Sequence, residues 1–450
     1  MMQRIFPAFT YSEGPRDNCW WDDTIKRPTW PTFGGTRTVD VAIIGGGFTG
    51  ISAAYHLARA GVHVAVVEAE TPAWGASGRN GGFCCLGGAK LSQTAMQRRF
   101  GVAATETYLH SEVAAVELAK QLIDFHNIDV DAHSQGETQM AHSPRAMEAL
   151  RRAADAAAAA NVPVTLTEPQ DLAAAGLNGG FFGALTTPVG FGLNPQKYLF
   201  GLAAAAAEAG AELFQNSPVT DLRPHMGQFT LRLPGGVLQA KQVILATNGY
   251  SSDDIPAWLR ARYLPSQSSV LVTRPLQDQE LAAQGWTSDQ MAYDTRHLLH
   301  YFRLMPDRRF LFGMRGGLRA SAKAEAQIRR QLLRHFHKLF PAWREVEVTH
   351  RWSGLVSLGA GLVPFIGPVP DHPGLFAGLN YHGNGVAMGT YAGRILADLV
   401  RGTTPVLPYS SVVQTAPRFP LNAYRRAFLP LAYGYYALKD LSFATSSDKA

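Results

Sequence analysis

The chain has 450 residues, 46% of them apolar and 17% charged, with a net charge of +6 and a pI of about 9.2. That length exceeds one ordinary core and predicts two interlocked domains, and the composition excludes a disordered chain. Lys and Arg are scattered, with only short pairs such as Arg98-Arg99, Arg151-Arg152 and Arg329-Arg330. A nucleic-acid binder would cluster them, so the basic balance points to an anionic cofactor or substrate instead.

The N-terminal stretch MMQRIFPAFTYSEG has no apolar core followed by a small-residue cleavage site, so no signal peptide is expected. Residues 1–37 lack periodicity and carry Trp20, Trp21, Trp30 and several prolines, which predicts an arm wrapped on the body. TVDVAIIGGG then reads as a short buried parallel strand running into glycines. Phe48 to Ala60 is helical in composition, Gly61 ends it, and VHVAVVEAE is a second buried strand. Together these make a βαβ unit of about 30 residues. Its apolar run is broken by Gly45–Gly47, Arg59 and His63, and no stretch of about 18 apolar residues occurs, so no membrane span is expected. Cys19, Cys84 and Cys85 offer neither a disulfide framework nor metal-ligand spacing, which predicts no metal and a reducing cytoplasm.

Further along, Gln97 to Asn127 predicts one long helix, Thr138 to Ala141 a strand, and Arg145 to Ala160 and Gln196 to Ala209 two Ala-rich helices. Gln228 to Ala246 alternates around Gly235-Gly236, as a hairpin does. Between Ser266 and Gly313 the segments SSVLVTR, HLLHYFRLM and RFLFGM predict an antiparallel sheet, and Ala322 to Phe340 a helix. The last third adds RWSGLVSL, PFIGPV and a strand–Gly-turn–helix from Gly374 to Val400.

GGGFTG, from Gly45 to Gly50, fits the G-x-G-x-x-G dinucleotide fingerprint. Gly45 allows the tight turn, Gly47 lets the backbone approach a pyrophosphate, and Gly50 lets the helix pack closely, with Phe48 and Thr49 opening its first turn. Glu68 follows 18 residues after Gly50, at the end of the second strand, where a carboxylate can accept ribose hydroxyls and Ala69 adjoins it. A second loop, Gly75, Ala76, Ser77, Arg79, Asn80, Gly81 and Gly82, suits a longer dinucleotide that passes further into the protein.

GGGFTGISAAYHLA, VVEAE and GASGRNGG resemble the D-amino-acid oxidase superfamily of flavoproteins, which includes glycine, sarcosine and dimethylglycine oxidases. GASGRNGG is most similar to the gamma-glutamylputrescine oxidoreductase-like branch, and the resemblance runs from about Val39 to Val400. It implies FAD on a Rossmann-type domain, interlocked with an α+β substrate domain built on an antiparallel sheet. The boundaries it implies are an arm at 1–37, the FAD-binding domain at 38–95, 191–255 and 346–402, the substrate domain at 96–190 and 256–345, and a tail at 403–450. It further implies an adenine-contacting strand around Val219 and a pyrophosphate-covering loop of Ala246, Thr247, Asn248 and Gly249. The flavin end would be held by Gly383, Asn384, Gly385 and Val386, with Trp352 and Gly354 nearby. A helix starting there would favour negative charge at the flavin N1–C2=O edge. No cysteine occurs in the late segment where some relatives attach the cofactor, so the FAD is expected to be non-covalent.

The implied reaction is oxidation of a small amine, whose C–H must point at flavin N5. On the presumed sheet, Tyr301 and Arg303 alternate so as to share a face, and Arg315 follows on the next strand. Either arginine could clamp an acidic group on the substrate. His382, before the glycine turn, is a candidate for contact with cofactor or substrate. Tyr263 and His300 are further candidates, and Trp352 is expected to pack near the flavin. Two other readings stay open: a flavin-dependent 2-hydroxy acid oxidoreductase, and the flavin subunit of a multi-component dehydrogenase with a small electron-transfer partner, as in taurine-dehydrogenase-like complexes.

Overall fold

The computed structural model describes residues 3–317 and 321–442, so the end of the expected tail, residues 443–450, lies outside the described residues. Two eight-stranded sheets organise them. In the first, Gly35–Ile44 lies between Gly236–Leu245 and Val64–Val67, all parallel, with Glu212–Phe214 beyond Val64–Val67. Leu375–Leu379 continues the parallel order on the other side and Phe365–Pro368 closes that edge antiparallel. The Gly235-Gly236 turn joins Gln228–Leu233 to Gly236–Leu245 as a hairpin, with Asp221–His225 added outside it.

These strands read as unbroken apolar runs because both faces are covered. Val41, Ile43, Val64 and Val66 pack among three helices, Phe48–Arg59, Pro195–Glu208 and Ala387–Val400. Ala42, Ile44, Ala65 and Val67 face a second cluster with Phe229, Leu231 and Phe365. The first and last of those helices cross closely. A Cβ on Gly393 would stand 2.5 Å from the Thr49 carbonyl oxygen, and the Ser52 hydroxyl donates to the Thr390 carbonyl at 2.7 Å. This crossing ties together the two helices that follow the glycine-rich turns of the chain.

The second sheet runs in the order Val348–Leu358, Leu264–Thr273, Phe310–Arg315, His300–Leu304, Met291–Asp294, Glu137–Met140, Ala184–Thr187, Thr165–Thr167. Its pairs are antiparallel except Met291–Asp294 with Glu137–Met140. One face is aromatic: Phe302, Phe310 and Phe312 pack against Phe336, Phe340 and Trp343, on and after the helix Ala322–Leu339. Burying each such ring stabilises the unit by about 1.5–3 kcal/mol before entropy. The intervening residues Tyr301 and Arg303 point to the opposite face, toward the first sheet.

Three expectations change, and two elements are new. The expected long helix is two, Gln93–Phe100 and Val102–Phe125, broken at Gly101, whose φ of +87° no helix accommodates. RWSGLVSL, expected among the FAD-binding segments, pairs with Leu264–Thr273 in the second sheet. Val219 lies in the loop before Asp221–His225, not in a strand. Met291–Asp294 and the C-terminal helix Phe428–Ser442 were not anticipated.

Candidate active site

A cavity of about 440 Å³ lies between the sheets. Its floor is the turn that follows Gly35–Ile44. Gly45 has φ +110°, and a Cβ there would meet the Ala246 carbonyl oxygen at 2.8 Å, so the turn packs directly on the end of the neighbouring strand Gly236–Leu245. A Cβ on Gly50 would sit 1.9 Å from the Gly45 carbonyl oxygen, and one on Gly47 2.8 Å from the Ser77 hydroxyl. That hydroxyl accepts the Phe48 amide at 3.0 Å, tying the second loop to the start of the helix. Glu68 ends the neighbouring strand and accepts the Gly46 amide at 2.7 Å and the Glu70 amide at 3.0 Å. Burial pushes its carboxyl up, and these amides pull it partly back.

The second loop makes one wall. Arg79 is 2% exposed, stacks 4.3 Å from the Trp74 ring centroid and donates through Nε to the Trp74 carbonyl at 2.6 Å. Its Nη2 is buried with no hydrogen-bond partner, which is an unfilled donor in the wall of a cavity. Asn80 folds the loop on itself, donating to Ala76 and Ser77 and accepting the Gly82 amide. Val219, Ala246, Thr247 and Asn248 line the cavity near the first turn, and Gly383, Asn384, Gly385 and Val386 line it at the start of the helix Ala387–Val400. Asn384 donates to the Cys85 sulfur at 3.3 Å and to the Leu86 carbonyl. The implied FAD fits this arrangement: a helix start over glycines for a pyrophosphate, a buried carboxylate for a ribose, an unfilled Arg79 donor, and a second helix start at the far end.

The second sheet closes the cavity with polar side chains. Tyr301 shares a 2.9 Å hydrogen bond with the Ser268 hydroxyl. Arg315 donates to the His382 carbonyl at 2.7 Å and makes no ion pair among the described residues. Tyr293, Gln139, Leu299 and Lys90 complete this end. Tyr293 accepts from Gln139 at 2.9 Å and donates to Glu137 at 2.8 Å. Burial pushes the Glu137 carboxyl up to about 7.

Several expected site residues lie elsewhere. Arg303 shares the face of Tyr301, as alternation predicts, but the loop Gly81–Cys84 crosses between them. Its guanidinium donates to the Leu193 carbonyl at 2.7 Å, contacts His133 at 3.2 Å and stacks on Trp21 and Phe83. It is a structural arginine, 1% exposed, and does not reach the cavity. Gly82 fits between Arg303 and the Leu193 carbonyl, and Gly50 and Gly249 pack behind the wall. Trp352 stands one layer back and donates to the Arg79 carbonyl at 2.7 Å, while Gly354 touches Arg79 in the wall itself. His382 lines the cavity, yet Nδ1 donates to the Gly88 carbonyl at 2.7 Å and Nε2 accepts the Gly359 amide at 3.0 Å. With burial holding its pKa down to about 4, this ring is neutral and committed, unable to shuttle protons. Tyr263 donates to the Ser251 carbonyl, and His300 bonds Asp294 and His335, both away from the cavity.

Other wall residues carry no motif that would have marked them. Arg4 comes from the arm, and Lys90, Tyr293 and Gln139 are isolated polar residues whose neighbours are distant in sequence. Cys85 also lines the cavity, but burial holds both it and Cys84 far above the range of a reactive thiol. Among the described residues no cluster of three or more His, Cys, Asp or Glu could hold a metal, and no helix is long and apolar enough to cross a membrane.

The chain is similar throughout to known oxidoreductases. It is 31% identical over 438 residues to the probable oxidoreductase OrdL of Rhizobium meliloti (strain 1021), covering 94% of this chain and 97% of that protein. It is 27% identical over 424 residues to gamma-glutamylputrescine oxidoreductase of Escherichia coli (strain K12), covering 92% and 96%. The crystal structure of glycine oxidase from Geobacillus kaustophilus superposes with a TM-score of 0.70 at 23% identity, covering 85% of this chain and all of that one. Residues 40–399 match the DAO family, described as FAD dependent oxidoreductase, so the fingerprint, the two-sheet fold and the cavity belong to one assignment: the chain is a member of the DAO family and an FAD-dependent oxidoreductase.

Proposed function

We propose that this enzyme oxidises a small primary or secondary amine that carries an acidic group. The observation that carries this reading is Arg315: a cation in the cavity wall, held by one backbone carbonyl and by no carboxylate among the described residues. The relative that acts on gamma-glutamylputrescine supports an amine as the oxidised group.

Bound FAD supplies the acceptor for a hydride from the amine-bearing carbon. The substrate nitrogen must be neutral so that its lone pair forms the C=N bond as that hydride leaves, and the resulting imine takes up water. The protein's part is positional. Gly45, Gly47, Ser77, Glu68 and Arg79 would hold the cofactor, and Gly383–Val386, at the start of the last cavity helix, would contact it as well. Arg315 orients the anion, and Tyr301, fixed by Ser268, supports that wall. Among the described residues no free histidine base faces the cavity, because the His382 ring is committed at both nitrogens. An amine substrate needs no such base, since solvent supplies the neutral form, whereas a 2-hydroxy acid must lose its hydroxyl proton. The three buried, unpaired cysteines favour a cytoplasmic location.

The test is an anaerobic screen for bleaching of the flavin band by acidic amines, neutral amines and 2-hydroxy acids. Acidic amines should bleach it, increasingly as pH rises and the substrate ammonium deprotonates. Arg315→Met should raise KM for them more than tenfold, since losing one partner of a desolvated charge pair costs roughly 2–5 kcal/mol. Bleaching by 2-hydroxy acids alone, or equal kinetics for acidic and neutral amines, would overturn the reading. Re-oxidation of the bleached enzyme by oxygen, or only by a co-purifying partner, separates a self-sufficient oxidase from a subunit of a larger complex.

A further inference from the structure

Lys90 is the second cation at the Arg315 end of the cavity, on the loop between Phe83–Cys84 and Gln93–Phe100. That loop is held at four points. The Leu86 amide donates to Glu137 at 3.0 Å and the Leu86 carbonyl accepts from Asn384. The Gly88 carbonyl accepts from His382, and the Lys90 amide donates to the Leu362 carbonyl at 2.7 Å. The backbone is thus fixed while the Lys90 ammonium makes no hydrogen bond or ion pair among the described residues. The charged and titratable groups around it are Arg315, Glu112, Glu137, Cys85 and His382. The Cys85 thiol and the His382 ring are neutral, and burial raises Glu112 and Glu137 to about 7, so their negative charge is weak near neutrality. On the acid side of neutrality two cations therefore share one wall with little to balance them.

We infer that Lys90 and Arg315 together form an anion subsite, and that Lys90 is the residue that makes the pocket prefer an acidic ligand over its neutral counterpart. This deepens the amine reading above by naming what receives the substrate's acid group. A carboxylate placed there meets two cations from different elements, the loop and the second sheet, and its position along the cavity becomes fixed.

The subsite is also pH-sensitive. Lys90 is solvent-accessible on its loop, yet the protein surrounding it, reinforced by Arg315, pulls its ammonium down to about 7, against the opposing pull of Cys85, Glu112 and Glu137. Its charge is present below that value and is lost as pH rises through it, while a bound anion pushes the transition upward. Acidic ligands therefore bind best on the acid side of neutrality, opposite to the trend of the substrate's own amine.

Butyrate and butyramide, which differ in charge and little in shape, test this on the yellow holoenzyme through perturbation of the flavin absorbance band. At pH 6 the wild type should favour butyrate by about tenfold or more, and that preference should shrink toward pH 9. Lys90→Met should remove most of it at pH 6 and leave butyramide affinity unchanged. Lys90→Arg, whose charge does not titrate in this range, should restore butyrate binding and hold it to pH 9. Equal FAD content and thermal midpoints exclude a folding defect in either variant. Wild-type butyrate binding in Lys90→Met, or no preference in the wild type, would overturn the subsite. Loss of butyrate binding in Lys90→Met from an enzyme that no amine bleaches would keep the subsite and sink the amine reading instead.

Discussion

The two ends of the cavity are built by different means. At the fingerprint end the chain uses backbone: Gly45, Gly47 and Gly50 leave no room for a Cβ, and the Phe48, Gly46 and Glu70 amides are fixed by Ser77 and Glu68. At the sheet end it uses side chains, Tyr301, Arg315, Lys90 and Tyr293, which come from four separate stretches. The first kind of wall leaves almost no room for substitution. The second can be re-lined without disturbing the fold, and that is where relatives with the same cofactor can differ in substrate.

The largest expected effect falls on the backbone end. Gly50→Val would drive a branched side chain into the Gly45 carbonyl, 1.9 Å from its Cβ position, where neither helix nor strand can yield. The loss should exceed about 4 kcal/mol, seen as insoluble or colourless protein. Soluble Gly50→Val with full FAD content would mean that the helix and strand are less closely set than described.

The arginines on the sheet provide the sharpest contrast. Arg303→Met should destabilise the fold by roughly 1.5–3 kcal/mol, because the buried Leu193 carbonyl loses a charged donor. It should lower the thermal midpoint and leave KM for any turned-over substrate unchanged. Arg315→Met should do the reverse. If both move the same quantity, the line drawn between structural and ligand-facing arginines is misplaced.

The smallest effect concerns Glu68→Gln, which keeps the shape and removes the charge. FAD binding should weaken by about 1–1.5 kcal/mol, the difference between a charged and a neutral acceptor. Because burial raises this carboxyl, wild-type FAD affinity should fall toward acid pH as the carboxylate protonates, whereas the glutamine variant should be flat there. Matching pH profiles of the FAD dissociation constant would remove Glu68 from the ribose site.

This asymmetry explains what the sequence disclosed. A backbone-built wall needs glycines at fixed spacing and an acid at the strand end, so Gly45, Gly47, Glu68 and the Gly75–Gly81 loop were legible as a local pattern. The second sheet was legible as alternation, which correctly put Tyr301 and Arg303 on one face. Alternation does not say what lies across from a face, so nothing local warned that Phe83 and the Gly81–Cys84 loop would seal Arg303 away. Lys90 was invisible for the same reason: its significance comes from Arg315, 225 positions later. Gly101 escaped because one glycine in a long helical pattern reads as tolerable until its φ is known.

The crossing of Phe48–Arg59 with Ala387–Val400 has a consequence for synthesis. Ser52 waits for Thr390, 338 residues downstream, and the Gly383–Val386 turn lines the same cavity as Gly45–Thr49. A ribosome making this chain emits one wall of the cavity long before the other. The cavity therefore has both of its glycine-rich turns only after Gly383–Val386 has been made, and a chain released before that point, however well its first unit folds, carries half a clasp. Closure of the cavity thus waits on residues made hundreds of positions after its first wall.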